Sequence, residues 1–372
     1  MNVIIAPDSF KGSLSSLEAG TIMKKAILRE IPHAAVTVIP IADGGEGTVD
    51  TLVAATGGNL FPLTATGPLG ERAEVRFGLL PEGTAVLEAA SICGLVMVPP
   101  AQRNPMHTTS RGIGEVLLAA MDQGHRRFIL GLGGSATNDG GLGMLQALGG
   151  LFLDANGNPA DGFGASLSDI RTVDLAGLDV RLKDCDIQVA CDVTSPLCGD
   201  SGATYVFGPQ KGGTPEQLQV LEAAMQAYAA MVEEQLEQPG LSLQPGAGAA
   251  GGLGFAMLAL GAKLKPGAKV LAEAVKLPER IAGADWVITG EGRSDDQTLY
   301  GKLPIHVAEL AQAAGVPALL ISGSLGAGSE QLLNHFRATF SIVPGPVTLE
   351  ACMENAETYL YERVRNIARL LT

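Results

Sequence analysis

The chain opens with a short apolar run, Val3-Ile4-Ile5-Ala6, that breaks off at Pro7-Asp8. The same rhythm recurs at Val36 to Ile41, Phe128 to Leu130, Trp286 to Ile288 and Ala318 to Ile321, each run ending in a polar, glycine-bearing loop. Short aliphatic runs bounded by turn residues read as buried strands. Between them the apolar spacing changes to helical. Leu17, Ile22, Ala26 and Ile27 form a stripe behind Ser15 and Glu18, which have the spacing of a capping box. A second helix is predicted from about Glu46, another from Gly112 to Gln123, and one from Pro304 to Ala314. A long amphipathic helix starts at Thr214-Pro215, capped by Thr214 and Gln217, with Leu218, Leu221, Met225, Tyr228 and Val232 on one face, and Pro239-Gly240 stops it. The last helix carries Leu360, Val364, Ile367 and Leu371.

The order of elements changes along the chain. Both ends alternate strand and helix, the pattern of a parallel sheet, with a further strand at Phe340 to Val343. From Gly70 the pattern becomes a hairpin, Ala73-Val75-Phe77 and Ala85-Val86-Leu87 around Pro81-Glu82-Gly83, followed by short strands at Leu151 to Asp154, Ile187 to Cys191 and Thr204 to Phe207. This predicts an α/β protein: a discontinuous flavodoxin/Rossmann-like parallel-sheet domain, residues 1–65 and 270–372, with a second α/β domain built on a mixed sheet, residues 66–269, inserted into it. The strand near 128–131 fits either domain.

At 372 residues the chain is long enough for two cores. It is 46% hydrophobic but only 4% aromatic, so the cores are expected to be aliphatic. The net charge of −14 excludes nucleic acid and an anionic membrane surface as partners, since both require a basic field. A small anion is not excluded, provided local cations, helix N-termini or Mg²⁺ meet it. The five cysteines form no C-x-x-C pair and are expected to be reduced. No basic leader with an apolar block opens the chain, so a cytoplasmic location is expected. The uncharged stretch from Gln238 to Ala262 is broken by two prolines and seven glycines and reads as a loop with a short buried helix.

The candidate chemistry lies in the loops at the strand ends. Loops leaving the carboxyl ends of parallel strands converge on one crevice, where ligands bind. Asp8-Ser9-Phe10-Lys11-Gly12-Ser13, Asp43-Gly44-Gly45-Glu46-Gly47, Gly131 to Gly141, Thr289-Gly290-Glu291-Gly292-Arg293-Ser294-Asp295 and Ser322-Gly323-Ser324 are such loops. Each residue also has a plain structural reading: Glu46 as a first-turn acid favoured by the helix dipole, Lys11, Arg293 and Lys302 as solvated cations, Asp192 as a turn former before Ser195-Pro196. The Walker pattern is absent, because Gly301-Lys302 is followed by Leu303, and so are the protein-kinase and hydrolase-elbow motifs. A dinucleotide fingerprint occurs by letter at Gly246-x-Gly248-x-x-Gly251 and at Gly131-x-Gly133-x-x-Ala136. It lacks the acidic residue some 20 positions on in a clear βαβ unit. None of the five histidines shares a metal-ligand spacing with another.

Several of these runs together resemble the type-1 glycerate kinase family: Ala6 to Ser13, Ala42 to Thr48, Cys191-Asp192-Val193, Gly208-Pro209-Gln210-Lys211-Gly212 and Thr289 to Asp295, in the family's order and over nearly the whole chain. The resemblance implies ATP-dependent phosphorylation of D-glycerate, usually to 2-phosphoglycerate in bacterial members, and a flavodoxin-like or Rossmann-like domain with a second α/β domain inserted. Under that reading the site is expected between the two domains. Lys11 or Arg293 meets the substrate carboxylate. The amides of the Gly131 to Gly141 loop, with Gly133, Gly134, Ser135, Asn138 and Asp139, cradle the ATP phosphates, assisted by Lys211 or Lys302. Asp43, Glu46 or Glu291 holds Mg²⁺. Asp192 is the expected general base, with Asp8 or Asp295 in reserve. An NAD(P)-dependent oxidoreductase acting on a small hydroxy acid and a non-catalytic ligand-binding module remain the alternatives, and a homodimer is compatible with these features.

Overall fold

The computed structural model describes residues 1–41 and 44–371. In chain order the described strands are β1 (Asn2–Ile5), β2 (Ala35–Val38), β3 (Asn59–Thr66), β4 (Arg72–Leu79), β5 (Thr84–Glu88), β6 (Arg127–Gly131), β7 (Leu151–Leu153), β8 (Thr172–Asp174), β9 (Asp186–Ala190), β10 (Lys263–Lys265), β11 (Trp286–Ser294), β12 (Ala318–Leu325) and β13 (Ala338–Ser341). The chain divides into two compact units, residues 1–43, 54–57 and 268–372 in the first and 44–53 and 58–267 in the second. The second unit thus begins earlier than the 66–269 read from the sequence. Residues 59–66 join it as β3, which pairs antiparallel with β4 along its whole length, Asn59 opposite Leu79 through Thr66 opposite Arg72.

The first unit is built on a five-stranded, wholly parallel sheet in the order β2-β1-β11-β12-β13. Numbered within the unit this is 2-1-3-4-5, the flavodoxin-like order, and the direction of winding reverses between β1 and β11. The helix Ser16–Glu30 carries the capping box expected of Ser15 and Glu18 and buries Ala19, Ile22, Met23, Ala26 and Ile27. The C-terminal helix Ala356–Ala368 adds Leu360, Val364 and Ile367 to the same core, and Glu30 accepts from Arg365 Nε (2.5 Å) and Arg369 Nε (2.8 Å).

The second unit carries a six-stranded sheet in the order β10-β9-β6-β5-β4-β3, with β5, β6, β9 and β10 parallel and β4 and β3 antiparallel. It is the mixed sheet expected from the hairpin pattern, and β6 belongs to it. The long helix Pro215–Leu236 starts at a Thr214/Gln217 capping box and buries the predicted stripe. Tyr228 on that helix lies between Phe152 and Phe255, and its hydroxyl donates to Gly140 O (3.2 Å). Two local readings are corrected. Thr204 to Phe207 is helical, part of Ala203–Phe207, because Gly202 and Gly208 bound a single helical turn and a half that overrides the strand preference of Thr, Tyr, Val and Phe. The run from Thr289 to Ser294, expected as a loop, continues β11 and pairs with β12 from Glu291 opposite Ser322 to Ser294 opposite Leu325. Its glycines permit that pairing: a Cβ on Gly290 would stand 2.0 Å from Ile321 O, and one on Gly323 2.3 Å from Gly292 O.

Candidate functional site

The first unit presents its polar residues where the winding reverses. Beyond β1 the backbone stays joined to β11, with Asp8 N donating to Gly290 O (2.8 Å), so the Asp8 loop runs beside Glu291 in the carboxyl-terminal half of β11. That position outside the carboxyl ends of an open sheet is the general ligand site of this topology. Asp8 is buried and its Oδ1 accepts from Ser9 N (2.6 Å). Lys11 is exposed in the tight turn closed by the Phe10–Leu14 bridge. Gly12 takes φ +83°, a backbone conformation that favours glycine in this turn.

Glu291 is the organised carboxylate of this unit. Only 6% of it is exposed, and its Oε1 accepts from Ser294 Oγ (2.8 Å) and Thr298 Oγ1 (2.7 Å), while Lys302 Nζ stands 3.6 Å from Oε2. Ser294 Oγ in turn lies 2.6 Å from Ser322 Oγ. Two hydroxyl donors fix one oxygen and leave the other beside a half-exposed ammonium. Asp295 has another duty: its Oδ1 caps the turn Asp296–Leu299 by accepting from Gln297 N (3.1 Å), and its Oδ2 pairs with Arg293 Nε (3.1 Å), whose side chain is largely in solvent.

In the second unit the loop after β6 is held from beneath. Asp139 is fully buried. Its Oδ2 accepts from Ser110 N (2.8 Å), Ser110 Oγ (2.7 Å) and Gly143 N (3.2 Å), and its Oδ1 from Gly141 N (3.1 Å). Burial raises its pKa, opposed by those four hydrogen bonds. Lys211, 3% exposed, donates from Nζ to Thr137 O (2.7 Å) and Ser135 Oγ (3.1 Å), and burial lowers its pKa to about 8 against the attraction of Cys93 and Asp139. Burial also pushes the Cys93 thiol up to about 12. Asn138 is buried, with Nδ2 donating to Thr204 Oγ1 (3.2 Å) and Oδ1 without a partner. Asp139 and Lys211 therefore turn inward and brace the loop, while Gly134 at its tip is exposed.

The glycines of this loop serve close packing. Gly133 N donates to Gly44 O (3.1 Å), and a Cβ on Gly133 would stand 2.7 Å from Gly45 Cα. Gly251 takes φ +67° and would meet Thr137 O at 1.9 Å. The Gly246-to-Gly251 fingerprint follows no strand and packs under the loop, whereas the Gly131-to-Ala136 run does follow β6 but the next helix opens only at Leu142. Asp192 is exposed at the carboxyl end of β9, where its Oδ1 accepts from Gly267 N (2.8 Å) at the start of the helix Gly267–Ala274. Glu46 is exposed ahead of the helix Thr48–Thr56, and Asp43 lies outside the described residues.

Three supporting residues escape the sequence reading. Glu88, buried at the end of β5, accepts from Val49 N (2.9 Å) and Gly47 N (3.4 Å) and so anchors the start of that helix; burial raises its pKa. Ser110 and Cys93 pack around Asp139. Glu88 had a usable signal, a carboxylate closing the apolar run Ala85-Val86-Leu87; Ser110 and Cys93 had none. Among the described residues no group of three or more His, Cys, Asp or Glu side chains is placed to hold a metal, and no helix is long and apolar enough to cross a membrane.

One unit thus offers a flavodoxin-like sheet with a buried carboxylate near its switch point, and the other a braced glycine-rich loop on a mixed sheet, features of an α/β enzyme that binds small molecules. Comparison with known proteins makes the class specific. A profile of the glycerate kinase family matches residues 3–372, and the chain belongs to that family of kinases. It is 48% identical over 371 residues to the glycerate kinase of Bacillus subtilis (strain 168), covering 99% of this chain and 97% of that one. It is 44% identical over 374 residues to the glycerate 2-kinase of Escherichia coli (strain K12), covering 100% and 98%. A crystal structure assigned provisionally as glycerate kinase 2 from Salmonella typhimurium LT2 matches with a TM-score of 0.90 at 45% identity, covering 100% of this chain and 98% of that one.

Proposed function

We propose that the chain transfers the γ-phosphoryl group of ATP to D-glycerate, giving 2-phosphoglycerate. The observation that carries this reading is the full-length match to the Escherichia coli glycerate 2-kinase, in which the loops quoted above are not isolated motifs but parts of one continuous similarity. Phosphoryl transfer asks a protein mainly for positioning and for charge neutralisation. The loop after β6 suits the first task, because Asp139 and Lys211 fix its course and Gly134 is exposed at its tip. Lys11 or Arg293 is the proposed partner of the substrate carboxylate; both are exposed cations, and Arg293 also pairs with Asp295. Asp192 is the proposed general base, with Asp8 or Asp295 in reserve.

The donors for Mg²⁺ fit the ion. Mg²⁺ takes one or two carboxylates and completes its shell with phosphate oxygens and water, so it needs no cluster of three protein ligands. Glu291, oriented by Ser294 and Thr298, would hold it, and Glu46 in the second unit is the alternative hard oxygen donor. When bound, the ion neutralises charge on the transferring phosphoryl group. A cytoplasmic location accords with the free thiols of Cys93, Cys185, Cys191, Cys198 and Cys352.

The test couples ADP release to a panel of hydroxy acids with and without Mg²⁺ and identifies the product by NMR. D-Glycerate is expected to stimulate ADP release and to yield the 2-phosphate; release indifferent to D-glycerate would overturn the proposal. Asp192→Asn keeps an oxygen for Gly267 N, and so is expected to fold normally and lose about 10² to 10⁴ in kcat. Near-normal turnover would pass the role to Asp8.

A further inference from the structure

Arg103 lies in the irregular segment that leaves β5 and runs to the helix Arg111–Asp122. Its Nε is buried without a hydrogen-bond partner, and no carboxylate among the described residues pairs with its guanidinium. A half-buried guanidinium with idle donors is costly unless something anionic meets it. Its surroundings say what. The residue stands directly against Gly212: a Cβ on Gly212, which takes φ +89°, would fall 2.2 Å from Arg103 O and 3.0 Å from Arg103 Cβ. The preceding residue, Lys211, reaches Ser135 and Thr137 in the braced loop. The segment carrying Arg103 is also tied to that loop at its tip, with Leu95 N donating to Gly134 O (2.8 Å) and Ala136 N to Cys93 O (2.9 Å). Arg103, with no counter-ion among the described residues, thus stands against Gly212 next to the lysine that braces the glycine-rich loop, in a chain of net charge −14.

We infer that Arg103 is a phosphate-binding residue of this kinase and that its guanidinium takes the ATP phosphates laid on the Gly131 to Gly141 loop. Lys211 and Arg103 then divide the work: the buried ammonium fixes the loop, and the guanidinium, a planar fork suited to phosphate oxygens, contacts the ligand. The inference rests on the kinase reading but is tested without turnover. Calorimetric titration of the full chain with MgATP is expected to give a Kd about 10- to 100-fold weaker for Arg103→Ala, in keeping with loss of a charge-assisted contact. Arg103→Lys is expected to restore part of it, with the KM for D-glycerate and the melting temperature unchanged in both. An unchanged Kd for MgATP in Arg103→Ala would overturn the inference, and so would a rise confined to the KM for D-glycerate. Should Arg103→Ala melt early, Arg103→Gln and Arg103→Lys carry the comparison, and equal MgATP affinity in all folded variants counts against the assignment. Failure of D-glycerate to stimulate ADP release, with MgATP binding still dependent on Arg103, would remove the substrate assignment and leave this one standing.

Discussion

Asp139 offers the sharpest check on the bracing of the loop. Replacing it with alanine removes one carboxylate but strands three backbone donors, Ser110 N, Gly141 N and Gly143 N, while Ser110 Oγ keeps its contact with Met144 N. Each buried donor left unmade costs about 1–3 kcal/mol, so the set comes to about 3–9 kcal/mol. A domain has only about 5–15 kcal/mol to lose. Asp139→Asn is milder. Its single carbonyl oxygen can serve Ser110 N and Gly143 N and leaves Gly141 N unmet, a loss of about 1–3 kcal/mol partly offset because the desolvated charge is gone. At about 2–4 °C per kcal/mol, the asparagine variant is expected to melt some 2–12 °C early and the alanine variant at least about 6 °C early, or not to fold its second unit. Calorimetry and circular dichroism read the transition, with the fluorescence of Trp286, the only tryptophan and part of β11, as a separate report from the first unit. If Asp139→Ala melted with the wild type, the carboxylate would not be bracing anything, and a direct role with nucleotide would have to be reconsidered.

Two further predictions follow from the same unit. Lys211 has a folded pKa of about 8 against an ordinary value of 10.5, so between those values the unfolded chain binds more protons and the group's contribution to stability grows as pH rises; it is lost again as pH falls through about 8. Relative to Lys211→Met, the wild type should therefore gain up to roughly 3 kcal/mol between pH 8 and 10.5 in denaturant titrations, and a pH-independent difference would contradict the burial argument. Gly133→Ala would bring a methyl within 2.7 Å of Gly45 Cα, where only backbone can give way; a loss of about 1–3 kcal/mol and a raised KM for ATP are expected, and an unchanged KM would show that the loop's course does not matter for nucleotide.

How much of this was legible in advance depends on whether local sequence or distant pairing decides the outcome. Helix starts marked by Ser15/Glu18 and Thr214/Gln217 were readable because a cap and its stripe are neighbours in the chain. The strand β3 went unread because Pro62 argues against a strand, yet β3 is the edge of its sheet, where proline is tolerated. The extension of β11 through Glu291 was unreadable because Gly290, Glu291 and Gly292 carry no strand preference; it is β12 that makes the strand. The candidate residues were found by type and not by orientation. Asp139 and Lys211 look in sequence like ligand-facing groups, and only the fold shows both side chains turned inward. Arg103, in a proline-rich connection, carried no signal at all.

The pairing of β1 with β11 also bears on how the protein is made. Val3 must lie beside Trp286, so the first unit's sheet cannot close until more than three-quarters of the polypeptide has left the ribosome. At about 5–20 residues per second, the N-terminal strand and its helix wait some tens of seconds without their central neighbour, while the whole of the second unit emerges and can condense. An apolar edge unpartnered for that long is a natural client for a holding chaperone, and a circular permutant that opens the chain between the two units would be spared the delay.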